Sequence, residues 1–390
     1  MEVVIEILLL IALSLLFGEI AEKLKVPGIV GNIVAGMLLG PMLLNVIQPG
    51  AILEGISTIS LFFIILLIGI EVTTEVLTKH ISSGLEFATA SFIAPVVIMV
   101  AIATMLFKLT AMHAVIVSIA IGVPSISIIS VLILKYKLNE HEDGIRLLSG
   151  VVIADVLAFT ILALAIRSHA VAVTLTGIIV FFVFLFAVDR LMKRHATQIR
   201  KFFNSASSME RGEDLVFTAV IIMGFVVASI LQLIGITYVL GAFFAGILIH
   251  EAIVGKKLYN SLKRTFRRLN NSFFIPVFFS IAGLSVTLPK DAYIVMLFCL
   301  IAISAIIGWV LDYGVAMHKL ERVRPRAAAA LLGSRGAVGV AIGAIALSAG
   351  LISSNLYSVA ILGIVIMSLV MPALIGRSIW RQNGHGDRFY

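Results

Sequence analysis

Run after run of this sequence extends for about 20 residues with hardly a charged side chain, the length a helix needs to cross a hydrocarbon core. Cutting at charge clusters and at Gly, Pro and Asn turns leaves thirteen such runs. They lie near 3–22, 27–46, 55–73, 84–107, 112–134, 145–167, 169–189, 213–233, 237–254, 271–288, 291–317, 326–350 and 355–376. They lack the alternation that marks the strands of a membrane barrel, and a helix satisfies its own backbone in lipid. Composition agrees: 61% of the 390 residues are hydrophobic and 13% charged, against roughly 45–50% and 25% in soluble domains. Too little charge remains to cover a water-soluble surface. A soluble enzyme, a nucleic-acid-binding domain and a disordered tail protein are excluded. The expected fold is an all-α polytopic membrane protein with the lipid bilayer as its surroundings. The N-terminus carries Glu2 and Glu6 and lacks a basic start and a small-residue cleavage site. It reads as a retained span rather than a signal peptide.

Basic residues test the count. With thirteen spans and the N-terminus outside, one side holds only Lys108, Arg167 and Lys290, while the other holds 25 Lys and Arg; Arg335 alone lies inside a span. The positive-inside rule then places the C-terminus in the cytoplasm of a multi-pass plasma-membrane protein. Two cytoplasmic connectors are longer. Residues 190–212 are basic and polar. Residues 255–270 put Leu258, Leu262, Phe266 and Leu269 on one helical face opposite Lys and Arg. That pattern predicts a short helix lying on the anionic inner leaflet.

The chain repeats itself. Val26 to Leu38 aligns with Ile236 to Leu248 at an offset of 210, both reading G-x-x-x-A-G-x-L. Phe62 to Val72 resembles Val277 to Val286, and Gly122-Val123-Pro124-Ser125 corresponds to Gly333-Ser334-Arg335-Gly336. Residues 1–168 and 213–378 are thus read as two six-helix repeats, joined by a linker helix and connector at 169–212 and followed by a tail at 379–390. Seven spans separate equivalent elements, so the second copy enters the membrane from the opposite face. Inverted repeats with two crossed, broken helices are the architecture of many secondary transporters.

Ionisable groups inside a membrane are expensive and mark function by default. Asp155 lies at the middle of the sixth span. A carboxylate there needs a proton, a cation or a buried base. A site that holds H⁺ or a metal cation but cannot be left bare exchanges one for the other. Arg335 sits inside the twelfth span beside Gly333 and Gly336. Its guanidinium cannot discharge, so it needs acceptors: unwound carbonyls, the end of a half-helix, or a carboxylate such as Glu71. A fixed electrostatic role is expected, because like charge repels a cation. In the fifth span, after Gly122, Pro124 removes one helix hydrogen bond and frees the carbonyl of Ala120. That carbonyl and the hydroxyls of Ser125, Ser127 and Ser130 are hard oxygen ligands for Na⁺ or K⁺, with Asp155 and Ser125 as the leading pair. Glu71 is read either as an interface residue or as a second carboxylate facing the core. Glu6, Glu19, Asp189, Asp214 and Asp312 are read as interfacial. The single Cys299 excludes disulfides within the chain. No phosphate-cradling loop or metal-spaced His pair occurs, so no cofactor is expected.

These segments together resemble the monovalent cation:proton antiporters, in the branch that contains prokaryotic Na⁺/H⁺ and K⁺/H⁺ exchangers. The resemblance rests on Lys23 to Pro41, Phe62 to Val72, Gly122 to Leu134, Gly150 to Phe159, Leu240 to Ile249 and Gly333 to Gly343. It implies a six-helix core with broken helices crossing at mid-membrane, a separate dimerisation domain, a homodimer, and Asp155 as the ion-binding residue. Two positions depart from the family pattern. Ala154 stands where many members have Asn, Asp or Gln, and Trp309 falls about where electrogenic members have Lys. Both favour one cation exchanged for one proton through Asp155 alone. The rival readings are a Na⁺-coupled organic-anion symporter, with Arg335 as an anion clamp, and a cation channel or sensor.

Overall fold

In the computed structural model the described parts of the apolar runs fold mostly as helices. It describes residues 3–24, 26–71, 80–125, 141–166, 212–233, 237–249 and 251–375, with single positions at 129 and between 176 and 198. The helices are α1 (Val3–Lys23), α2 (Gly28–Leu39), α3 (Ala51–Glu71), α4 (Ile81–Met105), α5 (Ala111–Gly122), α6 (Glu142–Ile166) and α7 (Gly212–Leu233). They continue with α8 (Tyr238–Ile247), α9 (Lys256–Leu269), α10 (Ile275–Leu284), α11 (Ala292–Lys319), α12 (Pro325–Leu332), α13 (Ala337–Ser348) and α14 (Ser354–Ala373). Among the described residues seven helices, α1, α3, α4, α6, α7, α11 and α14, are long and apolar enough to cross a membrane. Most of the apolar run at 169–189 and of the 190–212 connector, and the tail, lie outside the described residues.

Several runs form shorter helices than their apolar length predicts. The run at 27–46 is helical only over Gly28–Leu39. It turns at Gly40, whose added Cβ would stand 2.9 Å from the Leu284 carbonyl, and passes Asn45 at a φ of 53°. Residues 326–350 divide into α12 and α13 around Gly333–Gly336. A π-turn precedes a proline twice: Thr89–Ile93 before Pro95, and Asn270–Phe274 before Pro276. Proline cannot donate to the carbonyl four residues back, and a wide turn relieves the clash of its ring.

The chain forms two compact units, each drawing helices from both halves. One comprises Met1–Ile20, Gly31–Glu75 and Val156–Val286; the other comprises Ala21–Val30, Val76–Asp155 and Thr287–Tyr390. The chain passes from the second to the first within α6, at Asp155.

In the first unit, small residues let helix backbones meet, as expected where burial from water does not drive association. Gly246 of α8 lies on the backbone of Leu66 and Gly69 in α3, and a Cβ on either glycine would overlap backbone. Gly283 of α10 lies in the same way on Ile33, Gly36 and Met37 in α2. These pairs are equivalent under the sequence repeat: Gly36 aligns with Gly246, and Gly69 with Gly283. Each copy's A-G glycine therefore packs on the other copy's I-G or A-G glycine.

Helix α9 corrects one expectation. Its apolar face does not lie open to lipid: Leu258, Tyr259, Leu262 and Phe266 are buried against protein, and only Leu269 is exposed. Tyr259 Oη donates to the Ile70 carbonyl at 2.7 Å, and the Phe266 ring sits 4.5 Å from that of Phe217. The basic face remains outward. A helix this short and polar is held by tertiary contacts at the C-terminal end of α3.

A candidate ion site at the broken helices

The second unit holds the break. Helix α5 ends at Gly122 because Pro124 cannot donate to Ala120, and Val123 turns to an extended conformation with ψ 126°. Helix α12 ends at Gly333, and α13 begins after Gly336. The two extended stretches meet as an antiparallel bridge between Pro124 and Arg335, and Ser125 N–H donates to the Ser334 carbonyl at 2.9 Å. Strand-like pairing thus satisfies backbone groups that neither helix can satisfy at mid-span. Gly336 has no side chain because Ser125 fills the space: an added Cβ would lie 2.8 Å from that of Ser125. Gly333 lies close to Met371 of α14, and Gly122 close to Val96 of α4. Ser368 of α14 donates to the Arg335 carbonyl at 2.5 Å and anchors the crossing from one side.

Arg335 is wholly buried. Nη1 donates to the Leu332 carbonyl at 3.1 Å, at the C-terminal end of the half-helix α12, where the helix dipole favours a cation. Nη2 donates to Ser304 Oγ at 2.9 Å and more weakly to the Ser91 carbonyl at 3.5 Å. Ser91 lies four residues before Pro95, which has no N–H to donate to its carbonyl.

Asp155 is also wholly buried, near the middle of α6 between buried Ala154 and Ala158. Neither carboxyl oxygen has a hydrogen-bond partner among the described residues. A bare, unpartnered carboxylate in such surroundings carries the full cost of desolvation.

The other residues singled out from the sequence fall as follows. Pro124, Ser125, Gly333, Arg335 and Gly336 come together at the bridge. Gly122 ends the helix leading into it. Ser127 and Ser130 lie outside the described residues. Glu71 belongs to the other unit, where Arg267 Nη2 pairs with it at 2.5 Å, so it is not an acceptor for Arg335. Asp312 is not interfacial: it is 1% exposed, and both its oxygens lack a hydrogen-bond partner among the described residues. The signal was present in the sequence. Met296, Leu300, Ser304, Gly308, Asp312 and Ala316 recur every four residues and form the buried stripe of α11.

Asp143 was missed as well. At the start of α6 it accepts the backbone N–H groups of Glu321, Arg322 and Val323 at 3.3, 2.8 and 3.0 Å. It thereby fixes the loop that leads from α11 into the half-helix α12.

Comparison with known proteins agrees with this architecture. The family model described as sodium/hydrogen exchanger, transmembrane, matches residues 8–380. A Na⁺/H⁺ antiporter of Enterococcus hirae is 23% identical over 312 residues, 78% of each chain. The Na⁺/H⁺-K⁺ antiporter GerN of Bacillus cereus is 24% identical over 350 residues, 88% of each chain. Two structures of the sodium proton antiporter MjNhaP1 of Methanocaldococcus jannaschii share the fold. They superpose with TM-scores of 0.69 and 0.72 over 95% and 96% of each chain, at 17% and 18% identity. The chain is a multi-pass helical membrane protein, and it belongs to the sodium/hydrogen exchanger family.

Proposed function

We propose that this protein is a secondary-active antiporter that exchanges one monovalent cation, Na⁺ first and K⁺ as the alternative, for one proton at Asp155. The observation that carries the reading is the Asp155 carboxyl group: buried, without a hydrogen-bond partner among the described residues, and in the same unit as the bridged break. An ionised aspartate at the centre of a membrane costs roughly 3 kcal/mol or more. Protonated or cation-bound, the group is neutral and passes between the two faces by alternating access. Bare, it does not. Coupling follows, because every return must carry one of the two ligands. The fixed charge of Arg335 stays with the protein and keeps the crossing assembled. Ser125 and the Ala120 carbonyl supply neutral oxygens to the cation.

The reading places the protein in the plasma membrane with its N-terminus outside and its C-terminus in the cytoplasm, as the basic residues ask. It works as a homodimer in which the exposed apolar face of α1, including Val4, Leu8 and Leu16, contributes to the contact. The relatives' names keep both Na⁺ and K⁺ in the proposal.

Proteoliposomes acidified inside test it. External Na⁺ or K⁺ should restore internal pH without any organic solute. Asp155→Asn should abolish the response while unfolding at the wild-type temperature. Recovery by Asp155→Asn, or a response that requires an organic solute, overturns the proposal.

A further inference from the structure

We propose that Asp312 is the ionised, fixed counter-charge of Arg335, held opposite it by the Ser304–Gly308–Asp312 stripe of α11, so that the pair adds no net charge to the unit that carries Asp155. The inference deepens the proposed function and rests on it only for its transport readout.

A guanidinium cannot become neutral. Buried among helices, it requires an opposite charge somewhere within reach. Its hydrogen-bonded neighbours, Leu332, Ser304 and Ser91, are all neutral. The side chain lies along α11. Nη2 is bonded to Ser304, and an added Cβ on Gly308, one turn further on, would stand 3.9 Å from Nη2. Gly308 leaves the passage open, and Asp312 occupies the next turn of the same face.

Two kinds of unsatisfied group remain there, and they match. Among the described residues, Arg335 Nε is a buried donor without an acceptor, and the two Asp312 oxygens are buried acceptors without a donor. Polar groups that face each other beyond direct reach are commonly joined by a water. The other buried carboxylates described in this unit are not available for the role. Asp143 is engaged by three backbone N–H groups, and Asp155 is the exchange site of the proposed function.

The pairing has a consequence for transport. With Arg335 balanced, the buried charge changes only at Asp155, and both loaded forms of that residue are neutral. One-for-one exchange is then indifferent to membrane potential. An Arg335 left without its partner would add a positive charge to every loaded form.

The test is a double-mutant cycle on purified full-length protein. Asp312→Asn and Arg335→Gln should each lower the unfolding temperature in detergent by roughly 4–6 °C, because each strands one buried charge. The double variant should recover most of the loss. If either single variant yields no folded protein, a folded double variant still supports the pair, and a double variant no better than the singles overturns it. An Asp312→Asn protein as stable as wild type also overturns it, since a protonated Asp312 would tolerate the amide. In liposomes, wild-type exchange should not respond to an imposed potential, and the folded Asp312→Asn fraction should. A response in wild type, or none in the variant, counts against the inference. The thermal cycle needs no transport, so failure of cation–proton exchange in wild type would count against the proposed function alone.

Discussion

Replacing Gly336 by Ala places one methyl group at the tightest point of the crossing. The added carbon would stand 2.8 Å from the Ser125 Cβ and closer still to its Oγ. Rotating the serine hydroxyl away does not remove the overlap with Cβ. The Ser125 backbone cannot retreat either, because its N–H is bonded to Ser334 at 2.9 Å and Pro124 is bridged to Arg335. The backbone itself is no obstacle: Gly336 has a φ of −170°, extended and open to any residue. The cost is therefore steric. Overpacking by one methyl in a close-packed interior costs about 1–3 kcal/mol, which corresponds to a drop of roughly 1–4 °C in unfolding temperature. Exchange should slow in parallel, since the methyl pushes the two chain breaks apart. Ser125→Gly removes the opposing atoms, so the double variant Ser125→Gly/Gly336→Ala should regain part of the stability. Thermal unfolding in detergent and proton flux in liposomes read both effects. A Gly336→Ala protein indistinguishable from wild type, or one that Ser125→Gly makes worse, would refute the packing argument.

Two other predictions concern contacts away from the crossing. Asp143→Ala strands three backbone N–H groups at the start of α12 and should destabilise the protein by about 2–4 kcal/mol, measured as a lowered unfolding temperature; unchanged stability would mean that this loop is held by other contacts. Tyr259→Phe removes the hydrogen bond to the Ile70 carbonyl and should cost about 1 kcal/mol at neutral pH. Tyr259 also has a pH signature. Burial, and then the negative charges of Glu71 and Glu251, push its hydroxyl up to about 12. An unfolded tyrosine titrates near ~10. The folded state therefore holds this proton more tightly, and its contribution is complete below pH ~10 and lost as pH rises toward about 12. Wild type should lose stability across that window, and Tyr259→Phe should lack this component of the decline.

Much of the fold was legible in one dimension because hydrocarbon imposes a length on every apolar run. The limits of α1, α3, α7 and α14 lie within a few residues of those drawn from charge clusters and from Gly, Pro and Asn turns. Short elements such as α2 and α8 were overextended, because apolar character continues past their ends: α2 stops at Leu39, ahead of Gly40-Pro41 and of Asn45 at a φ of 53°. The crossing was legible through Pro124 and Gly333–Gly336, which no continuous helix accommodates comfortably. Its partners were not. Glu71 and Asp312 both lie toward the ends of their spans, and linear position gave no means of distinguishing them. Only the recurrence of Ser304, Gly308 and Asp312 at every fourth residue marks one face of α11 as buried. The basic face of α9 was read correctly. The burial of its apolar face depends on Tyr259 and Phe266 finding α3 and α7, which are distant in sequence.

Competition between H⁺ and the cation for Asp155 is read most directly from the apparent KM for Na⁺ or K⁺ as a function of pH, with maximal exchange followed alongside. If one carboxyl group takes either ligand, KM should rise by roughly tenfold for each unit of falling pH on the acid side, and saturating cation should restore the same maximal rate. A KM that stays flat across pH while the maximal rate collapses would place the proton elsewhere and contradict exchange at Asp155.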